Sequence, residues 1–435
     1  MFALPSLFLQ TKFRLARTGK TVAVILVFAF AAALSPVVLS QAAPRLLTLE
    51  QALALAERGS PRLRLAEAQL EAARAVGISA AQYPNPEAEL LLGPHRSRVP
   101  GGVSGNAGSV GVLQPLESSS VRTARANAAQ AGVLGEQLGR EDARLALRTE
   151  VKLSYFDLIR RKAEFELQLD TQSLLEQVRR RIEVLVSTGE APRLELSRID
   201  AEVAGAAMAS NSARLRLTQA LVTLRLLIGV PQSEPIEVVG SFPVLAALPE
   251  PLQLRNQMLS RHPQLLQARA GVSRAQARLE QERALRAPLP SLRATIDQDP
   301  EMRQLRLGMA WPLPLWNQRQ GQIAEAQAMV AQATAMFEQR QLELVTALEY
   351  ALNRYRVASE QVAAFDGGAL RQAEAAVRVA EAAYRFGERG FIEVLDAQRV
   401  LRRLRLDFLE ARYEQQAAMV EIDRLRAADM KELVP

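Results

Sequence analysis

The chain has 435 residues, 54 Lys and Arg against 47 Asp and Glu, 49% hydrophobic residues, two His and no Cys. This is not a disordered composition, and it excludes a disulfide scaffold, a thiolate metal site and a cysteine nucleophile. Two His argue against a histidine-rich metal centre, and the formal charge of +7 comes without the basic, aromatic-interleaved stretches that nucleic-acid binding uses.

Residues 1–43 read as an export signal. Lys12, Arg14, Arg17 and Lys20 precede an apolar run from Val22 to Leu34, and Ser40-Gln41-Ala42-Ala43 supplies small residues for cleavage. The apolar run is shorter than the ~20 residues of a spanning helix. Without the four basic residues of this segment, 50 basic residues face 47 acidic ones, a net charge of +3. No Cys follows the run, so an N-terminal lipid on cysteine is not expected. No later segment is apolar over the ~18 residues of a membrane helix. Any later membrane crossing must therefore use strands.

The remainder reads as two tandem halves, 44–240 and 241–430, followed by a tail at 431–435. Ser60-Pro61 has its counterpart in His262-Pro263, Gln114-Pro115 in Trp311-Pro312, Leu153 and Tyr155 in Leu348 and Tyr350, and Gly189-Glu190 in Gly387-Glu388, at offsets of 202, 197, 195 and 198. Ordered landmarks of this kind mark a structural repeat. Each half predicts a helix (48–81 and 251–286), a proline-marked strand pair, a long helix (119–187 and 317–386), a glycine-containing tip and a returning helix (193–228 and 391–427). No Pro occurs between Leu116 and Ala191 or between Leu315 and Val434, which leaves room for very long helices. At 1.5 Å per residue, a helix of nearly 70 residues is about 100 Å long, more than the diameter of a compact domain. Equatorial segments are expected at 229–251 and 428–435.

The last helix carries two apolar stripes, Leu401, Leu404, Phe408 and Ala411, and Leu406, Leu409, Tyr413 and Val420. At about 100° per residue the stripes lie roughly 160° apart. That pattern suits a helix in a wall with neighbours on both sides; a helix inside an antiparallel coiled-coil bundle fits it almost as well.

The strands distinguish these readings. They are expected near 86–92, 107–116, 289–298 and 302–313, and Leu305, Leu307, Met309 and Trp311 alternate with Gln304, Arg306, Gly308 and Ala310. Strands of about 9–11 residues with one apolar and one polar face are the unit of a membrane β-barrel. Trp311 and Trp316 suit a membrane interface, where indole is favoured. Four strands cannot close a barrel and an open edge in lipid is prohibitively costly, so several copies must associate. Two copies would give eight strands and three would give twelve.

The signal, the two halves, the strand pairs and the tip-linked helices resemble the TolC-type outer membrane efflux protein family. Tyr384-Arg-Phe-Gly387-Glu-Arg-Gly390-Phe-Ile-Glu393-Val-Leu-Asp396-Ala-Gln398-Arg399 looks like that family's second helix tip. Trp311-Pro-Leu-Pro-Leu-Trp316, with Gly321-Gln-Ile-Ala-Glu-Ala326, looks like its strand-to-helix corner. The corner and the compact length are closest to the cobalt-zinc-cadmium resistance branch. The resemblance implies a mainly α fold with a small transmembrane β part. Long antiparallel helices would form a trimeric α-barrel tunnel, and four strands per chain would build a shared barrel of twelve. It also implies a homotrimer in outer membrane lipid, a periplasmic adaptor (membrane fusion protein) at the tips, an inner-membrane RND-type pump, heavy-metal cargo, and neither enzyme activity nor a cofactor.

On the same resemblance, Glu393 and Asp396 line the periplasmic entrance. Their bland alternative is favourable charge in a first helical turn, worth about 0.3–1 kcal/mol each. Arg198 is expected to pair with an acid of a neighbouring helix and hold the entrance shut. Gly189, Glu190, Pro192, Gly387, Gly390 and Phe391 define the two adaptor-docking tips, with Gly serving positive φ at the reversals. His95 and His262 lack the converging ligands of a tight metal site. The competing functions are an organic-toxicant channel of the same family and a periplasmic coiled-coil adaptor.

Overall fold

A computed structural model describes residues 45–245 and 247–430; the expected signal segment and the tail 431–435 lie outside the described residues. The chain runs β1 (Arg45–Leu47), α1 (Leu49–Gly59), α2 (Pro61–Ala81), β2 (Glu87–His95), β3 (Gly105–Pro115), α3 (Ser119–Ser187) and α4 (Arg193–Ile228). It continues through β4 (Ile236–Val238), α5 (Pro251–Arg261), α6 (Pro263–Ala284), β5 (Ser291–Gln298), β6 (Arg303–Ala310) and α7 (Gln320–Ala364). A π turn (Phe365–Ala369), α8 (Leu370–Arg385) and α9 (Phe391–Leu425) complete it.

Three of the expected helices are interrupted. The expected helix 48–81 breaks at Ser60 (φ −67°, ψ 121°) and the helix 251–286 breaks at His262 (φ −64°, ψ 122°). Each residue precedes a proline, whose ring drives its neighbour out of the helical region, and each proline then opens the next helix. The helix expected over 317–386 begins at Gln320 and is cut by the π turn, where Gly368 takes φ 134°. By contrast, α3 runs unbroken for 69 residues from the Ser118 cap, whose hydroxyl accepts from the Val121 N–H.

The landmark pair Tyr155 and Tyr350 also needs correction. Tyr155 is buried and its hydroxyl donates to the carbonyls of Val239 (2.7 Å) and Leu47 (3.2 Å), whereas Tyr350 is exposed. The two tyrosines therefore occupy inequivalent places. The backbone around Tyr155 is an element that periodicity did not reveal: β1 pairs in parallel with β4, Leu47 opposite Val238. This sheet covers a cluster of Leu53, Val151, Phe156, Leu224, Ile228 and Phe242. Arg148 reaches Glu57 at 2.6 Å and Asp429 at 3.3 Å, and Lys152 reaches Asp429 at 2.6 Å, so Asp429, just beyond α9, is fastened to the belt that this sheet and its cluster form around the helices.

The helices form a row. On the strand side of the belt α3 packs between α2 and α6; on the tip side it packs between α4 and α9. Next to α6 and α9 comes α7, and α8 packs on α9. Both stripes of α9 are occupied as the wall arrangement requires. Phe408 meets Phe365 at 5.5 Å on one side, and the Tyr413 ring lies 4.2 Å from the Arg160 guanidinium of α3 on the other.

The four long strands form one antiparallel sheet in the order β2-β3-β5-β6, leaving β2 and β6 as open edges. The β5–β6 reversal is the expected polar turn, with the Asp299 carboxylate accepting from the Glu301 and Met302 N–H groups at 2.8 Å. No helix among the described residues is long and apolar enough to cross a membrane.

Candidate functional site

The register sorts the sheet into two chemically distinct faces. Residues directly opposite each other point to the same face. One face carries the rows Leu90–Val110–Ile296–Leu305, Ala88–Val112–Ala294–Leu307 and Gln114–Leu292–Met309. The other carries Glu89–Gly111–Thr295–Arg306, Leu91–Ser109–Asp297–Gln304 and Glu87–Leu113–Arg293–Gly308. On the polar face Arg306 lies 3.3 Å from Asp297 and Arg293 lies 3.9 Å from Glu89. Gly111, opposite Glu89 and Thr295, lets the strands approach closely; a Cβ there would stand 2.8 Å from Thr295 Cγ2.

On the apolar face Leu92, Leu305 and Leu307 are 78%, 68% and 78% exposed in the single chain. A contiguous apolar face of this size belongs against lipid or another chain. Trp311 and Trp316 follow β6, both exposed, with Leu313 and Leu315 exposed between them. They lie at the end of the apolar band nearer the helices.

The two tips have the same backbone. Gly189 (φ 81°) and Gly387 (φ 73°) end α3 and α8 in the left-handed conformation. The following N–H groups, of Glu190 and Glu388, reach back to the carbonyls of Leu185 (2.8 Å) and Ala383 (2.9 Å). This satisfies the orphan carbonyls at each helix end. Pro192 and Gly390 then cap α4 and α9 in extended conformations, with Gly390 at φ −76°. Gly390 therefore has no conformational need for glycine. Phe391 also departs from expectation: it is buried, 5.4 Å from the Tyr384 ring, among Leu175, Ile182, Ile199, Val394 and Leu395. Its ring holds the tip together and is not presented to a partner. Pattern reading missed the apolar groups that are presented, namely Phe386, Leu194 and Ile392. Leu194 and Ile392 share the offset of 198 that relates the two tips.

Glu393 and Asp396 are on one face of α9, each with an arginine. Glu393 accepts from Arg389 at 3.0 Å and Asp396 from Arg399 at 2.9 Å. Arg399 also bonds Glu202 of α4, and Arg402 lies 3.9 Å from the same carboxylate. Tyr384 donates to Glu195 at 3.4 Å; burial and the Glu195 charge raise its phenol above the ordinary range. Arg198 is exposed and pairs with no carboxylate among the described residues, so the expected pairing is not made within one chain. Exposed pairs of this kind contribute about 0–1 kcal/mol each, and Arg389, Arg399 and Glu202 are the residues that sequence spacing overlooked. No cluster of three or more His, Cys, Asp or Glu among the described residues is arranged to hold a metal.

A sheet with one apolar and one charged face, open at both edges and continued by a row of helices, defines a subunit of an outer-membrane channel. Residues 52–230 and 254–427 match the model of the outer membrane efflux protein family, and the chain belongs to that family. It is 26% identical over 381 residues to the cobalt-zinc-cadmium resistance protein CzcC of Cupriavidus metallidurans, covering 87% of this chain and 90% of the relative. The fold matches the crystal structure of a membrane protein from Pseudomonas aeruginosa with a TM-score of 0.78 at 21% identity, covering 89% and 92% of the two chains. It matches the Campylobacter jejuni CmeC outer membrane channel with a TM-score of 0.76 at 15% identity, covering 89% and 87%. The protein is an efflux channel component, not an enzyme.

Proposed function

We propose that three copies of this chain form the outer-membrane conduit of a tripartite efflux system that exports divalent metal cations. The two-faced, open-edged sheet carries the proposal: three such sheets joined β2 to β6 give a twelve-stranded barrel with the apolar rows toward lipid and the charged rows toward the lumen. The helix row extends the tunnel into the periplasm after removal of residues 1–43. A periplasmic adaptor docks at the Gly189 and Gly387 tips and couples the channel to an inner-membrane RND-type pump. The name of the 26% identical relative supports metal cargo over organic toxicants.

Glu393 and Asp396 stand at the entrance, and in this reading an arriving cation competes with Arg389 and Arg399 for them. A Glu393→Ala, Asp396→Ala double variant is expected to lower cation selectivity in planar bilayers. The cargo is tested by deleting the gene in its own host. Cobalt, zinc and cadmium are expected to accumulate while tolerance to organic toxicants is unchanged; the opposite pattern contradicts the metal reading.

A further inference from the structure

Where the sheet meets the helices, α2, α3 and α6 enclose a groove of about 770 Å³ whose charges are not balanced within the chain. Its floor is made of small residues, Ala128 and Ala129 of α3, with Gly132 a turn further on. Among the described residues that line it, Glu117 is the one acid, and it is already taken. The Arg125 guanidinium grips Glu117 at 2.5 Å and 3.0 Å and donates to the carbonyls of Ala80 and Gln82, both at 2.8 Å.

Arg274 and Arg278 of α6 line the same groove and pair with no carboxylate among the described residues. Four positions apart, they lie one above the other on one helix face, where like charges repel. Arg274 is also seated: its Cζ and Nε lie over Gly132, 3.8 Å from where a Cβ would stand. Glu136 and Arg274 line the continuation of the groove toward the belt without forming an ion pair. The repeat does not call for these arginines, because the positions 202 earlier in α2 are Ala72 and Val76. Asn85 and Gln281 bring side-chain amides to the same wall. Two unpaired guanidinium groups flanked by amides, with no free acid between them, are the chemistry that receives a phosphate or carboxylate group.

The groove opens on the face of α3 that carries Ala129 and Glu136 and continues at seven-residue steps to Glu150, Asp157 and Glu164. The belt crosses α3 on the other side. Lys152 reaches Asp429 at 2.6 Å and Lys162 reaches Glu237 at 2.8 Å, and each is five positions from Asp157, about 140° around the helix. In a ring of helices the crossing segments lie outside, so the groove faces the lumen.

We propose that this groove is a binding site for a polyvalent oxyanion, bearing phosphate or carboxylate groups, held by Arg274 and Arg278 in the throat of the tunnel. The luminal placement rests on the channel reading; the binding itself does not. An anion held there screens the arginines from a passing divalent cation.

Inorganic pyrophosphate is the probe, titrated calorimetrically into full-length protein in detergent and metal-free, low-salt buffer. The native protein is expected to bind it, and Arg274→Gln with Arg278→Gln to weaken binding by about tenfold or more. Arg283→Gln is the control: it removes a charge from the opposite face of α6, where Arg283 pairs with Glu280 at 2.7 Å, and should bind as the native protein does. No binding by the native protein, an unweakened double variant, or an equal loss in the control overturns the site. In planar bilayers pyrophosphate is expected to reduce the conductance of the native protein and not of the double variant. Binding to pores whose conductance pyrophosphate leaves unchanged places the groove against lipid headgroups and overturns the luminal site. Silent bilayers with binding intact contradict the channel and leave the binding site standing.

Discussion

Leu307→Arg is the perturbation that bears most sharply on the apolar face. Leu307 lies in the row with Ala88, Val112 and Ala294, between Leu305 and Met309, and is 78% exposed in the single chain. From Arg303 to Trp311 the strand advances about 27 Å at ~3.4 Å per residue. A tilt of about 40° reduces this to about 21 Å across the membrane, close to the apolar band of an outer-membrane barrel, with Leu307 at its middle. Arginine at that depth costs about 2–4 kcal/mol per chain, roughly 30- to 1,000-fold in an equilibrium constant. Gly308→Arg is the matched control. It is the neighbouring residue on the polar face, and a Cβ there meets nothing within 4 Å. The assay is reversible denaturant unfolding in lipid vesicles, with the heat-resistant assembled fraction as a second readout. Leu307→Arg is expected to lose stability by this amount and Gly308→Arg to stay near native. Equal losses in the two variants, or none in the first, would refute the assignment of faces.

Further outcomes follow from the tips and the belt. Gly387→Val should cost about 1–3 kcal/mol through backbone strain alone and speed proteolysis at the tip, while Gly390→Ala should be neutral; equal effects would contradict the tip geometry. Burial, then the charges of Arg424 and Arg340, lower the His262 pKa to about 4 from 6.5. The imidazole caps α6 by accepting from the Gln264 N–H at 3.3 Å. Because the folded value is depressed, this contribution to stability is intact above about pH 6.5 and is lost as the pH falls toward 4, on the order of 3 kcal/mol in all. His262→Ser, which copies Ser60, should flatten that part of the stability–pH curve; an unchanged curve would contradict it. Arg148→Ala leaves Glu57 and Asp429 short of a shared partner and should cost about 1–2 kcal/mol by thermal melting, less in high salt. Arg148 and Arg144 hold Glu57 below its usual range against the opposing effect of burial, and Lys152 and Arg148 do the same for Asp429, so both contributions are lost as acid protonates the carboxylates.

The parts of the fold that were readable from sequence have strong periodicity or punctuation. The alternation from Gln304 to Trp311 gave the strand and its faces, and the proline-free run from Leu116 to Ala191 gave α3 almost residue for residue. Ser60-Pro61 and His262-Pro263 mark the repeat and also break a helix in each half, an effect that the helical periodicity on both sides of each proline masks. Asp366-Gly367-Gly368 is a turn signal inside an otherwise helical pattern, and the apolar periodicity on both sides hid it. The strands β1 and β4 have three residues each and pair across the whole first half, too short for alternation to register. At the tips, spacing placed Glu393 and Asp396 on one face, but their arginine partners depend on side-chain reach and on α4, which no local pattern encodes.

On the proposed function, several copies of this chain close a water-filled channel through lipid. Purified full-length protein added to a planar bilayer tests it directly, with the particle mass measured in the same detergent. A mass of three chains and discrete, ohmic conductance steps are predicted. A monomer that leaves the bilayer silent at every protein concentration would contradict the account.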